Sequence, residues 1–127
     1  RMRSFFMIKS KPYNGRLYKR YCECLTNRLT LFPEGTVTRI KKGNPSGQIS
    51  TTVDNNWINE WCTAYEFGAL YKRKYRKSPT VDEYKRNVDF LCYGDDRILA
   101  FNSHFVYYDR DFVIHLHKNV FVMWVEP

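Results

Sequence analysis

The feature that most constrains the fold of this chain is a pair of adjacent aspartates between two apolar segments. Residues Val88–Cys92 and Ile98–Phe101 are short, β-prone runs, and Tyr93-Gly94-Asp95-Asp96 separates them. Gly and Asp tolerate the backbone angles of a tight turn. The pattern therefore predicts two antiparallel strands joined by a turn, with two carboxylates at its tip.

Such a pair of carboxylates has a direct chemical implication. Like charges a few ångströms apart repel unless a cation lies between them. Mg²⁺ prefers carboxylate and phosphate oxygens, so Asp95 and Asp96 are candidate catalytic residues and metal ligands. The alternative is an ordinary hairpin turn with solvated aspartates, and this motif alone does not decide between the two.

A second motif precedes the first along the chain. Residues 43–56 read GNPSGQISTTVDNN, a Ser-Gly loop directly before a helical pattern. In a helix that begins near Thr51, the side chains of Thr51 and Asn55 point the same way, since they are four residues apart. A helix start with good capping residues would also suit this composition. Both motifs, in this order with a basic spacer between them, are harder to obtain by accident.

The remaining pattern predicts an α+β fold, in which helices pack on antiparallel strands. Helical spacing covers residues 14–27, and residues 29–32 and 36–40 form a hairpin around a Pro-Glu-Gly turn. A long helix is predicted from Asp54 to about Tyr71, and a capping box at Thr80 begins a short one. Residues 112–120 are predicted to be helical and residues 121–125 to form a last strand.

Composition narrows the function less than the motifs do. Aromatic residues make up 17% of the chain, which indicates a packed domain. The net charge of +8 indicates either an anionic partner or merely a solubilising surface. No apolar run reaches the length of a membrane span. The four cysteines are expected to be reduced thiols, and the spacing of Cys22 with Cys24 and of His115 with His117 does not favour zinc.

At this point the sequence resembles the viral RNA-dependent RNA polymerases, most closely those of the astroviruses. Ser46-Gly47 with Thr51 and Asn55 resembles motif B of that family, and Tyr93 to Asp96 resembles its motif C. The string GNPSGQISTTVDNN, the run YGDDR and the closing MWVEP strengthen the likeness.

The resemblance implies a fragment of a right-hand polymerase palm with some fingers sequence. It implies that Asp95 is the principal metal ligand and Asp96 assists, with Mg²⁺ as the cofactor and Mn²⁺ as an alternative. Ser46 and Asn55 would read the ribose 2′-hydroxyl, which distinguishes NTP from dNTP. Thr51 would support that network, and Gly47 would let the loop bend.

The same resemblance implies an enzyme that adds ribonucleotides to a primer 3′-hydroxyl on a viral RNA template. Its partners would be template and primer RNA, NTPs and the rest of the viral polymerase, in the host cytoplasm. Lys41, Lys42 and Arg97 are candidate RNA contacts, although Arg97 could equally pair with the nearby carboxylates. Lys118 is the nearest candidate for a general acid, with a plain solvated Lys as the alternative, and Glu126 departs from the family's usual Lys.

Residues 1–127 are expected to be a partial catalytic domain. The family's motif A supplies a further Asp, and no Asp precedes Asp54, so motif A is expected upstream and the primer-grip region downstream. The isolated chain is therefore predicted to be inactive. Two rival hypotheses remain: a reverse-transcriptase-like polymerase, and a basic RNA-binding module without catalysis.

Overall fold

The computed structural model describes residues 12–123, with the side chains of residues 12–14 excepted. The chain divides into two compact units, one up to Thr51 and one from Thr52 onwards. Among the described residues, no helix combines the length and the apolar composition that a membrane crossing requires.

The described part of the first unit contains one helix and one hairpin. Helix α1 spans Pro12–Thr26, and the antiparallel strands β1 (Arg28–Leu31) and β2 (Val37–Ile40) follow it. The turn between the strands is closed by a hydrogen bond from the backbone N–H of Phe32 to the carbonyl of Thr36. Gly35 has a φ of +86°, a conformation that side chains disfavour, so this position needs glycine.

Helix α2 is the central element of the second unit. It spans Thr51–Tyr75, and its buried residues recur in pairs every four positions. This spacing places them on one face. The buried residues are Cys62, Thr63, Glu66, Phe67, Leu70 and Tyr71. The rest of the helix mixes charged and polar residues with exposed apolar ones, among them Val53, Ile58, Trp61 and Tyr65, so its outward side is not purely polar.

Helix α3 (Val81–Asn87) leads directly into the strands β3 (Val88–Tyr93) and β4 (Asp96–Phe101). The predicted capping box is present: the Thr80 hydroxyl accepts from the N–H of Glu83, whose carboxylate accepts from the N–H of Thr80. The strands are antiparallel, with Leu91 opposite Ile98 and Tyr93 opposite Asp96.

One hydrophobic core holds the second unit together. It is built around the ring of Phe67, which is 1% exposed and lies within 6.4 Å, between centroids, of four other aromatic rings. The other buried members come from α2, from β3 and from the segment after β4; they are Leu70, Tyr71, Val88, Val106 and Val113.

The C-terminal part differs from the sequence prediction. Helix α4 spans Arg110–Leu116 and continues as a π-helical turn over His117–Phe121. The strand predicted for residues 121–125 is therefore wrong at residues 121–123, and residues 124–125 lie outside the described part. His117, in the π-helical turn, is buried and contacts Glu66 on α2. The mixture of helices and antiparallel strands agrees with the predicted α+β class.

Candidate active site

The turn between β3 and β4 presents the two aspartates. Tyr93 and Asp96 form the last strand pair, so Gly94 and Asp95 are the two loop residues. Gly94 has a φ of +65°, whereas Asp95 is not among the residues with positive φ. A positive φ at the first loop residue alone is the pattern of a type II′ turn, which favours glycine there.

Two asparagines of α2 hold the backbone of this turn. The Asn56 Oδ1 atom accepts the N–H of Gly94 at 2.7 Å, and the Asn59 Nδ2 atom donates to the carbonyl of Gly94 at 2.8 Å. The Cys92 thiol also points to the carbonyl of Asn56, with a sulfur–oxygen distance of 3.9 Å. Gly94 itself is buried. The turn is therefore fixed to α2 through its backbone, and its aspartate side chains are left available.

Asp95 and Asp96 are both exposed, and neither carboxylate has a hydrogen-bond or ion-pair partner among residues 12–123. Adjacent carboxylates without a protein cation suit a hard divalent ion. In the described part of the chain, no group of three or more His, Cys, Asp or Glu side chains could hold a metal. The residues present thus fit part of a magnesium site, and the other ligands would have to come from phosphates, water or other protein segments.

The Ser-Gly loop, in the first unit, is ordered by its own polar residues. The Tyr21 hydroxyl donates to Gln48 Oε1 at 2.7 Å and lies 2.9 Å from the Ser50 hydroxyl. The Thr51 hydroxyl lies 2.8 Å from the carbonyl of Pro45, so it contributes to the start of α2. Gly47 has a φ of +77°. This positive φ requires glycine at the centre of the loop.

The predicted ribose-sensing residues lie on both sides of the unit boundary. Ser46 and Gly47 are exposed in the loop, and Thr51 is the first residue of α2. Asn55 is half-buried one helical turn later, directly before Asn56. The neighbouring Asn56 contacts the aspartate turn, which places Asn55 next in sequence to a residue that binds the backbone of Gly94.

Arg97 has a protein partner that the sequence did not indicate. Its guanidinium donates to Glu66 Oε1 at 2.6 Å and to the Thr63 hydroxyl at 3.1 Å, and its side chain is only 15% exposed. The Nε2 atom of His117 lies 2.5 Å from the same Glu66 oxygen. We call Arg97, Glu66 and His117 the buried triad. Its geometry gives Arg97 a structural partner in place of the predicted RNA phosphate or nearby aspartates.

Other predicted basic contacts remain on the surface. Lys41, Lys42 and Lys118 are all exposed. In the last turn of α2, Arg73 forms an ion pair with Asp109 at 2.7 Å, and Lys74 donates to the carbonyl of Phe105 at 2.7 Å. These contacts tie the end of α2 to the segment before α4.

Comparison with known proteins gives the family of the chain. A family model described as viral RNA-dependent RNA polymerase matches residues 2–127. The chain belongs to this family. Among similar proteins of the family, non-structural polyprotein 1AB of avian nephritis virus 1 is 55% identical over 127 residues, covering 99% of this chain.

Two further astrovirus relatives agree. Polyprotein 1AB of turkey astrovirus 1 is 45% identical over 97% of the chain, and that of human astrovirus-5 is 41% identical over 87%. The predicted resemblance to astrovirus polymerases is thus confirmed at the level of family. The chain spans only about 7–8% of the length of these polyproteins. No solved structure matches it.

Sequence reasoning within this polymerase family missed four residues that the structure brings to the turn or beneath it: Asn56, Asn59, Glu66 and His117. The spacing of Asn56 and Asn59, three apart on a predicted helix, was a usable signal for a shared face. Nothing local indicated that Glu66 and His117 would meet, because they are 51 residues apart.

Proposed function

We propose that this chain is part of the catalytic palm of an RNA-directed RNA polymerase. In the complete protein it would add ribonucleotides to a primer 3′-hydroxyl on a viral RNA template. The observation that carries the proposal is the hairpin tip, where Asp95 and Asp96 are exposed and have no partner among residues 12–123, in a chain of this family. Template RNA, primer, NTPs and the rest of the viral polymerase would be the partners, in the host cytoplasm.

Asp95 and Asp96 would hold the divalent cation, with Asp95 as the principal ligand. When bound there, Mg²⁺, or Mn²⁺ in its place, would neutralise charge at the triphosphate and lower the pKa of the attacking hydroxyl. The protein's contribution is positioning: the buried Gly94 backbone is fixed, so the two carboxylates start from a defined turn. Asp96 is the first residue of β4, and its pairing with Tyr93 restricts its backbone.

The loop before α2 would select the nucleotide. Ser46 and Asn55 would contact the ribose 2′-hydroxyl, with Thr51 ordering the loop through the carbonyl of Pro45. Gly47 would allow the loop to move with the template. The exposed Lys41 and Lys42 would contact RNA phosphates. The Arg97 side chain is engaged by Glu66, so we assign it to the support of the turn and not to RNA.

The test uses the complete viral polymerase. Asp95→Asn and Asp96→Asn keep side-chain size and remove one charge, and Asp89→Asn on β3 is the matched control because Asp89 is also exposed on this hairpin. Single-nucleotide primer extension should fall by at least ~10²-fold for Asp95→Asn. Asp89→Asn should extend normally, and RNA affinity should be unchanged in all three.

Two outcomes would point elsewhere. Extension near the parental rate for Asp95→Asn would refute the catalytic assignment and favour an RNA-binding module. Equal use of NTP and dNTP by the parental enzyme would favour a reverse-transcriptase-like polymerase. If the assignment of the loop is correct, Asn55→Ala should raise the relative use of dNTP, as measured by competing the two substrates.

A further inference from the structure

Two asparagine side chains bind the two polar backbone groups of Gly94. Its N–H is bound by Asn56 and its carbonyl by Asn59, at 2.7 and 2.8 Å. A backbone N–H can only donate and a carbonyl can only accept. The amide orientations are therefore defined: Asn56 must present its oxygen and Asn59 its nitrogen.

These two contacts fix two successive peptide planes. The N–H of Gly94 lies in the plane that joins Tyr93 to Gly94, and its carbonyl lies in the plane that joins Gly94 to Asp95. The second plane contains the backbone nitrogen of Asp95. Asn59 therefore controls the orientation of the backbone from which the Asp95 side chain departs.

The strand ladder cannot supply these contacts. Gly94 lies beyond the last strand pair, Tyr93 with Asp96, and it is buried. A buried backbone group without a partner is destabilising, so these two groups need the side-chain contacts. A Cβ at Gly94 would meet nothing within 4 Å, so glycine is required here by its φ and not by a shortage of space.

We propose that Asn56 and Asn59 are positioning residues of the polymerase reaction, acting through the backbone of Gly94 to aim Asp95 at the metal and substrate. This inference rests on the proposed function. Neither asparagine is a catalytic residue. Their role is geometric: a misplacement of reacting groups by about 1 Å can lower the rate by ~10²-fold.

The two positions make opposite chemical demands, which allows a sharp test. Asp at position 56 retains an acceptor for the Gly94 N–H, whereas Leu removes it. Asp at position 59 replaces the required donor by an acceptor that repels the Gly94 carbonyl, and Leu removes the donor. Asp and Leu both approximate the size of Asn, and the two Asp variants add the same charge less than one helical turn apart.

The experiment measures single-nucleotide addition by the complete polymerase with Asn56→Asp, Asn56→Leu, Asn59→Asp and Asn59→Leu. We expect kcat to fall by ~10²-fold in the last three, with the KM for NTP little changed, and by less than about tenfold in Asn56→Asp. Glu60→Gln, an exposed neighbour on the same helix, is the control with normal kcat.

A purely structural role would lower the amount of folded enzyme without this pattern. Active-site titration with a primer–template trap therefore normalises each rate to the folded fraction. Equal losses in Asn56→Asp and Asn59→Asp would overturn the inference, as would parental kcat in both Asn59 variants. If Asn59→Asp does not fold, the normalised kcat of Asn59→Leu tests the inference alone, and a parental value would overturn it.

The outcome separates this inference from the proposed function. Activity that survives Asp95→Asn would remove the proposed function and the inference with it. Activity that is lost in Asp95→Asn but retained in Asn59→Leu and Asn59→Asp would leave the polymerase assignment intact and overturn the positioning role alone.

Discussion

Neutralising Glu66 should loosen the second unit around the aspartate hairpin. The Glu66 side chain is completely buried, and its Oε1 atom accepts from Arg97 and lies 2.5 Å from the Nε2 atom of His117. Glu66→Gln keeps the shape and removes the anion. Removing one partner of a buried ion pair typically costs ~3–5 kcal/mol, because the remaining charge is stranded.

The structure places the expected cost near the lower end of that range. Gln can still accept one hydrogen bond, and the Arg97 side chain, 15% exposed, keeps a route to water. A cost of about 3 kcal/mol corresponds to roughly 10²-fold in the equilibrium for local opening. Hydrogen exchange in the complete polymerase measures this opening directly, through the peptides that contain β4 and α4.

A matched control and a triple variant make the prediction specific. Glu60→Gln removes an exposed carboxylate from the same helix and should leave exchange unchanged. Glu66→Met combined with Arg97→Met and His117→Leu removes the whole buried triad together, and such replacements are often neutral or stabilising. Exchange for Glu66→Gln within about threefold of the control would refute the reasoning, since a stranded charge of this kind must weaken the fold.

Three further predictions concern the same unit and the same measurement. The pKa of Glu83 is lowered by the Thr80 N–H and then by the Tyr71 hydroxyl, and that of Asp109 by the Phe112 N–H and then by Arg73. Both carboxylates therefore stabilise the fold at pH values above their ordinary pKa values, near 4.5 and 3.8. This contribution should be lost as the pH falls through the lowered pKa values. Glu83→Gln should remove part of the acid dependence of stability, and an unchanged dependence of stability on pH would contradict the assignment. Thr80→Ala should destabilise α3 by about 0.5–2 kcal/mol, with Thr80→Ser much milder, and equal effects would argue against the capping box. Phe67→Ala should cost ~3–5 kcal/mol and Phe67→Leu clearly less, and near-parental exchange in Phe67→Ala would contradict the central role of this ring.

Local signals in the sequence were sufficient for most elements. The Thr80 capping box, the turn around Gly35 and the start of α2 at Thr51 all depend on residues within a few positions of each other. Such interactions depend on the local sequence. The segment after α4 was different, because the same apolar residues suit a strand or a helix, and the contact of His117 with Glu66 joins residues 51 apart in sequence.

The candidate site shows the same division between local and long-range information. The aspartate pair is readable from sequence, since Gly and Asp between two apolar runs are favoured in tight turns. The role of Arg97 is not, because residues 98–101 are all apolar and do not reveal which face of β4 is internal.

The pairing register of β3 with β4 determines which face of β4 is internal. It places the ion pair of Arg97 on one face and the exposed carboxylate of Asp96 on the other. Side chains alternate along β4, so Arg97 shares a face with Leu99 and Phe101, and Phe101 packs on the core. Asp96 and Ile98 necessarily point to the other face. A shift of one residue would bury Asp96 and expose Arg97. The ion pair between Arg97 and Glu66 therefore specifies the register that leaves Asp96 exposed, which joins the stability of the unit to the presentation of its carboxylates.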